Sequence, residues 1–106
     1  MDIKQLITFR TLAQEKNYMK TSEKLSYAPS TLAKHIRSLE DELQVQLVEY
    51  RSGKIELTYD GKRFMRYADE MLSVYFKLQY EFDQTKSAIG TIRVAGGELM
   101  VGFAFG

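Results

Sequence analysis

Phe64, Ala68, Met71, Tyr75, Leu78, Phe82, Thr85 and Ile89 recur at alternating spacings of 4 and 3 residues, with no glycine or proline between them. That alternation keeps one face of an α-helix apolar for more than three heptads. The spacing predicts a helix over residues 59–88, with Gly90 ending it. A helix of about 30 residues is about 45 Å long. Fewer than 60 residues precede it, too small a core to cover such a face. A helix that pairs with another helix is favoured over one folded back on its own domain.

The preceding residues show shorter helical patterns. Ile3, Leu6, Ile7, Phe9, Leu12 and Ala13 give a first helix over about residues 2–15. Glu15-Lys16-Asn17 is a polar break, and Asn17 suits the N-cap of a second helix over residues 18–25. The lone proline, Pro29, then marks the start of a third helix, because the first helical turn has no use for the N–H that proline lacks. Leu32, Ile36, Leu39 and Leu43 form its buried stripe. Ser30, Thr31, Lys34, Arg37 and Ser38 fall on the other face.

After Leu43 the period changes. Val45, Leu47, Val48 and Tyr50, a turn at Arg51-Ser52-Gly53-Lys54, and the alternating Ile55-Glu56-Leu57 read as a two-stranded hairpin. Thr58 is the N-cap candidate for the long helix. Beyond Gly90, residues 91–95 alternate as a short strand, and "GGELMVGFAFG" is apolar and glycine-rich without the Lys-Ser/Thr of a phosphate loop.

The expected fold is mainly α: a winged helix-turn-helix followed by a long linker helix. The expected divisions are residues 1–58, 59–89 for the linker, and 90–106 for a disordered tail or the stub of a further domain. The formal charge of +1 does not by itself point to nucleic acid. The local distribution does: between residues 18 and 37, Lys20, Lys24, Lys34 and Arg37 face one acid, Glu23. Two helices joined by a short turn, the second exposing small and cationic side chains near its N-terminus, suit the major groove. The candidate DNA-contacting residues are Lys20, Pro29, Ser30, Thr31, Ala33, Lys34, Arg37, and Arg51 and Lys54 at the wing tip. The candidate pairing residues are Phe64, Ala68, Met71, Tyr75, Leu78 and Phe82.

Other classes find little support. There is no cysteine, which excludes disulfides and thiolate metal sites, and His35 is the only histidine. His35 therefore reads as an ordinary solvent-facing or phosphate-side residue. No glycine-flanked serine elbow is present, so no enzyme, cofactor or metal is expected. Tyr67, Tyr75 and Tyr80 fall in the long helix, where packing is favoured over stacking on single strands. No apolar run is long enough for a bilayer, and the N-terminus lacks a signal-peptide order, so a reducing cytoplasm is expected.

The stretch "MDIKQLITFRTLAQEKNYMKTSEKLSYAPSTLAKHIRSLEDELQVQLVEYRSGKIELTYDG" resembles the N-terminal domain of LysR-type transcriptional regulators. "MDIKQLITF", "SLEDELQVQLVE" and "LTYDG" carry the likeness, which extends to about residue 95. "GTIRVA" resembles the first strand of that family's effector-binding domain. The resemblance implies a dimeric, often tetrameric, regulator on a partly two-fold symmetric operator, with paired linker helices and a C-terminal domain that senses a small molecule. A chain of 106 residues alone would bind DNA and dimerise without sensing an effector. Ala28 and Pro29 stand where the family has Ser-Gln, Gln44 where glycine is common, and Tyr50 where a basic residue is common. The alternative from another class is an interaction protein, whose long helix pairs with other regulators without binding DNA specifically.

Overall fold

The computed structural model describes the backbone of residues 1–92 and the side chains of residues 1–84. The order is α1 (Ile3–Glu15), α2 (Tyr18–Leu25), α3 (Pro29–Leu43), β1 (Val48–Arg51), β2 (Lys54–Leu57) and α4 (Tyr59–Ile92). Two compact units are present, Met1–Leu72 and Ser73 onward. No helix among the described residues is long and apolar enough to cross a membrane.

Each boundary has a local cause. Asp2 caps α1 by accepting the Gln5 N–H at 2.8 Å, and Asn17 caps α2 by accepting that of Lys20 at 2.8 Å. Ala28 has no capping oxygen, so α3 relies on Pro29 at its first position. The first three helices all end on non-glycine residues in the left-handed region, Lys16, Ser26 and Gln44, with φ of 59°, 62° and 58°. Thr58 starts α4 by accepting the Gly61 N–H at 2.9 Å, while its own hydroxyl donates to the Gln46 carbonyl.

The core of the first unit gathers Leu6, Phe9 and Leu12 of α1, Ile36 and Leu39 of α3, Leu47, Ile55, and Phe64, Ala68 and Leu72 of α4. The Phe9 and Phe64 rings lie tilted at 58°, 5.1 Å apart. β1 and β2 pair antiparallel, with Tyr50 opposite Ile55 and Arg51 opposite Lys54. Ser52 and Gly53 at the turn both have positive φ, 53° and 76°, as a tight two-residue hairpin requires.

Five expectations need correction. Leu43 is 36% exposed and does not complete the buried stripe of α3. It stands at the helix end, beside a shallow cleft it shares with Val45, Asp60, Arg63, Phe64 and Tyr67. Phe64 and Ala68 are buried in the core of their own unit, so the apolar seam of α4 is divided, and Leu72, one turn after Ala68, belongs with them. Gly90 does not end α4, which runs to Ile92, and Thr91 is helical rather than extended. A lone glycine lowers helix stability by only about 1 kcal/mol, which neighbouring residues can offset. The remainder of the expected strand, and the tail from Gly96, lie outside the described residues. His35, finally, is half-buried and hydrogen-bonded rather than solvent-facing.

Candidate nucleic-acid interface

The turn between α2 and α3 is held by Ser22. Its carbonyl accepts the Ser26 N–H at 2.8 Å, and its hydroxyl donates to the carbonyl of Tyr27. Thr21 beside it is fully buried and donates to the Asn17 carbonyl at 2.8 Å. These polar anchors, together with Pro29, set where α3 begins.

Leu32, Ile36 and Leu39 face inward. At 3.6 residues per turn the opposite side of α3 carries Ser30, Lys34 and Arg37, and all three are exposed, as is Pro29. Thr31 and Ala33 are half-buried on the flanks of that face. The exposed face then turns acidic at Asp41. A negative charge there disfavours phosphate, so the cationic part of α3 is its first turns.

The wing is tied to this helix from behind. Glu40 Oε2 accepts the N–H of Leu47 at 2.8 Å and that of Val48 at 3.4 Å, so one carboxylate joins α3 to the start of β1. The Ile55 N–H donates to the Lys16 carbonyl at 3.0 Å, joining β2 to the end of α1. That junction brings two expected residues together: Lys20 and Lys54 line one depression of about 300 Å³ with Glu15, Lys16, Asn17 and Gly53. Arg51 lies opposite Lys54 on the hairpin, but its guanidinium also contacts Glu49 at 3.4 Å. An exposed pair of this kind is worth under about 1 kcal/mol and can be exchanged for a phosphate.

Tyr18, the first residue of α2, is half-buried. Burial first, then the charge of Glu40 and the nearness of Tyr50, push its phenol above the ordinary value of 10.0, with Arg37 opposing. Tyr50 itself is 73% exposed on the wing.

Sequence reasoning missed Glu40, Ser22 and the Thr8–His35 contact. Each joins residues 5 or more apart in the chain, and no periodicity reports which polar side chain will reach back to a backbone group. Of the expected pairing residues outside the core, Met71, Leu78 and Phe82 are exposed and Tyr75 is half-buried. Val74 is also exposed, at 66%.

Three helices with a tight turn before the third, followed by a two-stranded wing, define a winged helix-turn-helix. Residues 3–62 match the model for bacterial regulatory helix-turn-helix proteins of the lysR family. The chain belongs to that family. It is 34% identical over 98 residues to the helix-turn-helix-type transcriptional regulator YwqM of Bacillus subtilis, covering 92% of this chain and 33% of that protein. It is 31% identical over 103 residues to BenM of Acinetobacter baylyi, covering 96% of this chain and 34% of that protein. A crystal structure of the BenM DNA-binding domain with catB site 1 DNA superposes with a TM-score of 0.75 at 30% identity, over 82% of this chain and 97% of that one. The chain spans about a third of the length of the relatives it matches.

Proposed function

We propose that this chain is the DNA-binding and pairing part of a cytoplasmic LysR-type transcriptional regulator. It binds double-stranded DNA as a dimer, with α3 in the major groove and the wing against the adjacent backbone. The observation that carries this reading is the exposed Ser30, Lys34 and Arg37 face at the N-terminal end of α3, in a fold shared with a domain crystallised on DNA. Ser30 lets the backbone approach closely, while Lys34 and Arg37 reach guanine edges or phosphates. Lys20, Lys54 and Arg51 meet backbone phosphates on either side, and Pro29, Thr31 and Ala33 make close contact around Ser30. In this division residues 1–58 read DNA, and the part of α4 that exposes apolar side chains beyond the core residues Phe64, Ala68 and Leu72 pairs.

Pairing is assigned to Met71, Tyr75, Leu78 and Phe82. A small-molecule effector and higher assembly such as a tetramer belong to a further domain of the kind the longer relatives have room for. The family's other members named above are regulators, which supports a non-enzymatic role.

Titration of a labelled operator duplex tests the reading. Lys34→Ala and Arg37→Ala are each expected to weaken operator binding by about 1–3 kcal/mol where they contact a base, or to reduce the salt slope by about 1 where they contact a phosphate. Unchanged affinity in both variants rejects the assigned face. Leu78→Glu combined with Met71→Glu is expected to yield a monomer by sedimentation with weakened operator binding. The exposed stripe on α4 also favours a second reading, an interaction protein that pairs with other regulators. That reading stands if the chain dimerises but holds no duplex.

A further inference from the structure

α1 and α3 meet along a polar seam as well as an apolar one. The Met1 amine donates to Glu42 Oε1 at 2.6 Å, Gln5 Nε2 donates to Ser38 Oγ at 3.2 Å, and Thr8 Oγ1 lies 2.8 Å from His35 Nδ1. The partners are spaced by 4 and then 3 residues on both helices, so the contacts form three rungs running in opposite directions. The first two rungs are exposed, where water competes for the same groups. The third differs: Thr8 is fully buried, and the His35 ring is held on another side by Tyr27, edge-on at 5.4 Å.

This rung is the one nearest the proposed DNA-reading end of α3. His35 follows Lys34 directly and lies between Thr31 and Ser38 on the flank facing α1. The apolar contacts of Leu32, Ile36 and Leu39 hold α3 against the core, but they are not directional. A hydrogen bond is directional. A roll of α3 by about 20° would carry a side-chain tip about 6 Å from the axis through about 2 Å. That displacement is enough to break a hydrogen bond to a base edge, while a flexible lysine or arginine could still reach a phosphate.

We propose that His35 is a positioning residue: held by Thr8 and Tyr27, it sets the roll of α3 and so the aim of Lys34 and Arg37. It acts on base discrimination more than on attraction to the duplex. The proposal rests on the DNA-binding reading above. Nδ1 accepts the threonine hydroxyl when that nitrogen carries no proton, and an asparagine Oδ1, bonded to Cγ as Nδ1 is, offers a similar acceptor.

The test compares wild type, Thr8→Val, His35→Ala and His35→Asn on two duplexes, an operator selected with wild type and a scrambled sequence of equal length. Affinities are read at two salt concentrations, with thermal melting to confirm the fold. Thr8→Val and His35→Ala are expected to lose about tenfold in the operator-to-scrambled ratio, the scale of one base contact. Scrambled affinity and salt slope stay within about twofold. His35→Asn keeps the ratio. Thr8→Val replaces one hydroxyl by a methyl group, so it decides the matter even where His35→Ala fails to fold. Unchanged ratios in Thr8→Val and His35→Ala, or equal losses on both duplexes, overturn the positioning role alone. A folded wild type that holds neither duplex overturns the DNA-binding reading and this proposal with it.

Discussion

The α-carbon of Gly61 is pressed against the carbonyl oxygen of Leu47: a Cβ at residue 61 would stand 2.1 Å from that oxygen. The same carbonyl accepts the Thr58 N–H at 3.0 Å, so the first turn of α4 is docked on the segment that leads into the wing. Glycine is needed there for space, since its φ is not in the left-handed region. In an open helix Gly→Ala would gain about 1 kcal/mol. Here the clash is with backbone, and forced repacking of this kind costs about 1–3 kcal/mol or more. Gly61→Ala is therefore expected to lower stability by about 2 kcal/mol in urea unfolding. A neutral or stabilised variant would contradict the docking.

Gln44 is the opposite case, a position where glycine should help. It ends α3 with φ 58° and ψ 38°, and its side chain returns a hydrogen bond to the Asp41 carbonyl at 2.6 Å. The left-handed conformation disfavours residues with a Cβ by about 1 kcal/mol or more. The exposed side-chain bond recovers only part of that. Gln44→Gly is expected to raise stability by about 0.5–1 kcal/mol, read as an upward shift of the melting temperature.

Glu40 joins α3 to the wing through two backbone N–H groups. Its removal leaves the amide of buried Leu47 without an acceptor, at a cost of about 1–3 kcal/mol. Glu40→Ala is expected to lose that much, and Glu40→Gln, which retains one acceptor oxygen, less. Hydrogen exchange should speed up at the Leu47 and Val48 amides in both variants. Exchange left unchanged in Glu40→Ala would show that the carboxylate does not hold the wing.

Tyr18 gives the fold an alkaline limit. Its folded pKa lies above the ordinary 10.0, chiefly through burial and then through Glu40 and Tyr50. A raised acid pKa means that the folded state keeps its proton after the unfolded state has lost it. The stability this supplies is complete below pH 10.0 and falls as the pH climbs toward and through the folded value. Wild type and Tyr18→Phe are expected to show parallel melting temperatures from neutral pH to about pH 9, and wild type to fall faster above pH 10. Parallel curves throughout would remove Tyr18 as the cause.

The elements legible in the sequence were those signalled by period or by backbone chemistry. Pro29 marked the start of α3 without a capping side chain, Asn17 and Thr58 marked two other helix starts, and Ser52-Gly53 marked the hairpin tip. The outward face of Ser30, Lys34 and Arg37 followed from the inward stripe of Leu32, Ile36 and Leu39. What period could not report was which partner an apolar residue meets. Phe64 and Leu78 belong to one heptad pattern, yet Phe64 fills a core and Leu78 is 49% exposed. The need for glycine at residue 61 carries no periodic signal, because it comes from the Leu47 carbonyl, 14 residues earlier in the chain. His35 reads as solvent-facing or phosphate-side in the sequence because its partner, Thr8, lies 27 residues away, and nothing in the period marks Glu40 as the acceptor for an amide 7 residues on.

Selection of duplexes from a random pool by the purified chain, at two salt concentrations, tests the DNA-binding reading most directly. The account predicts enrichment of one two-fold symmetric motif whose half-sites lie about a helical turn or a multiple of it apart, with retention falling as salt rises. A correctly folded chain that retains no duplex at either salt would contradict it.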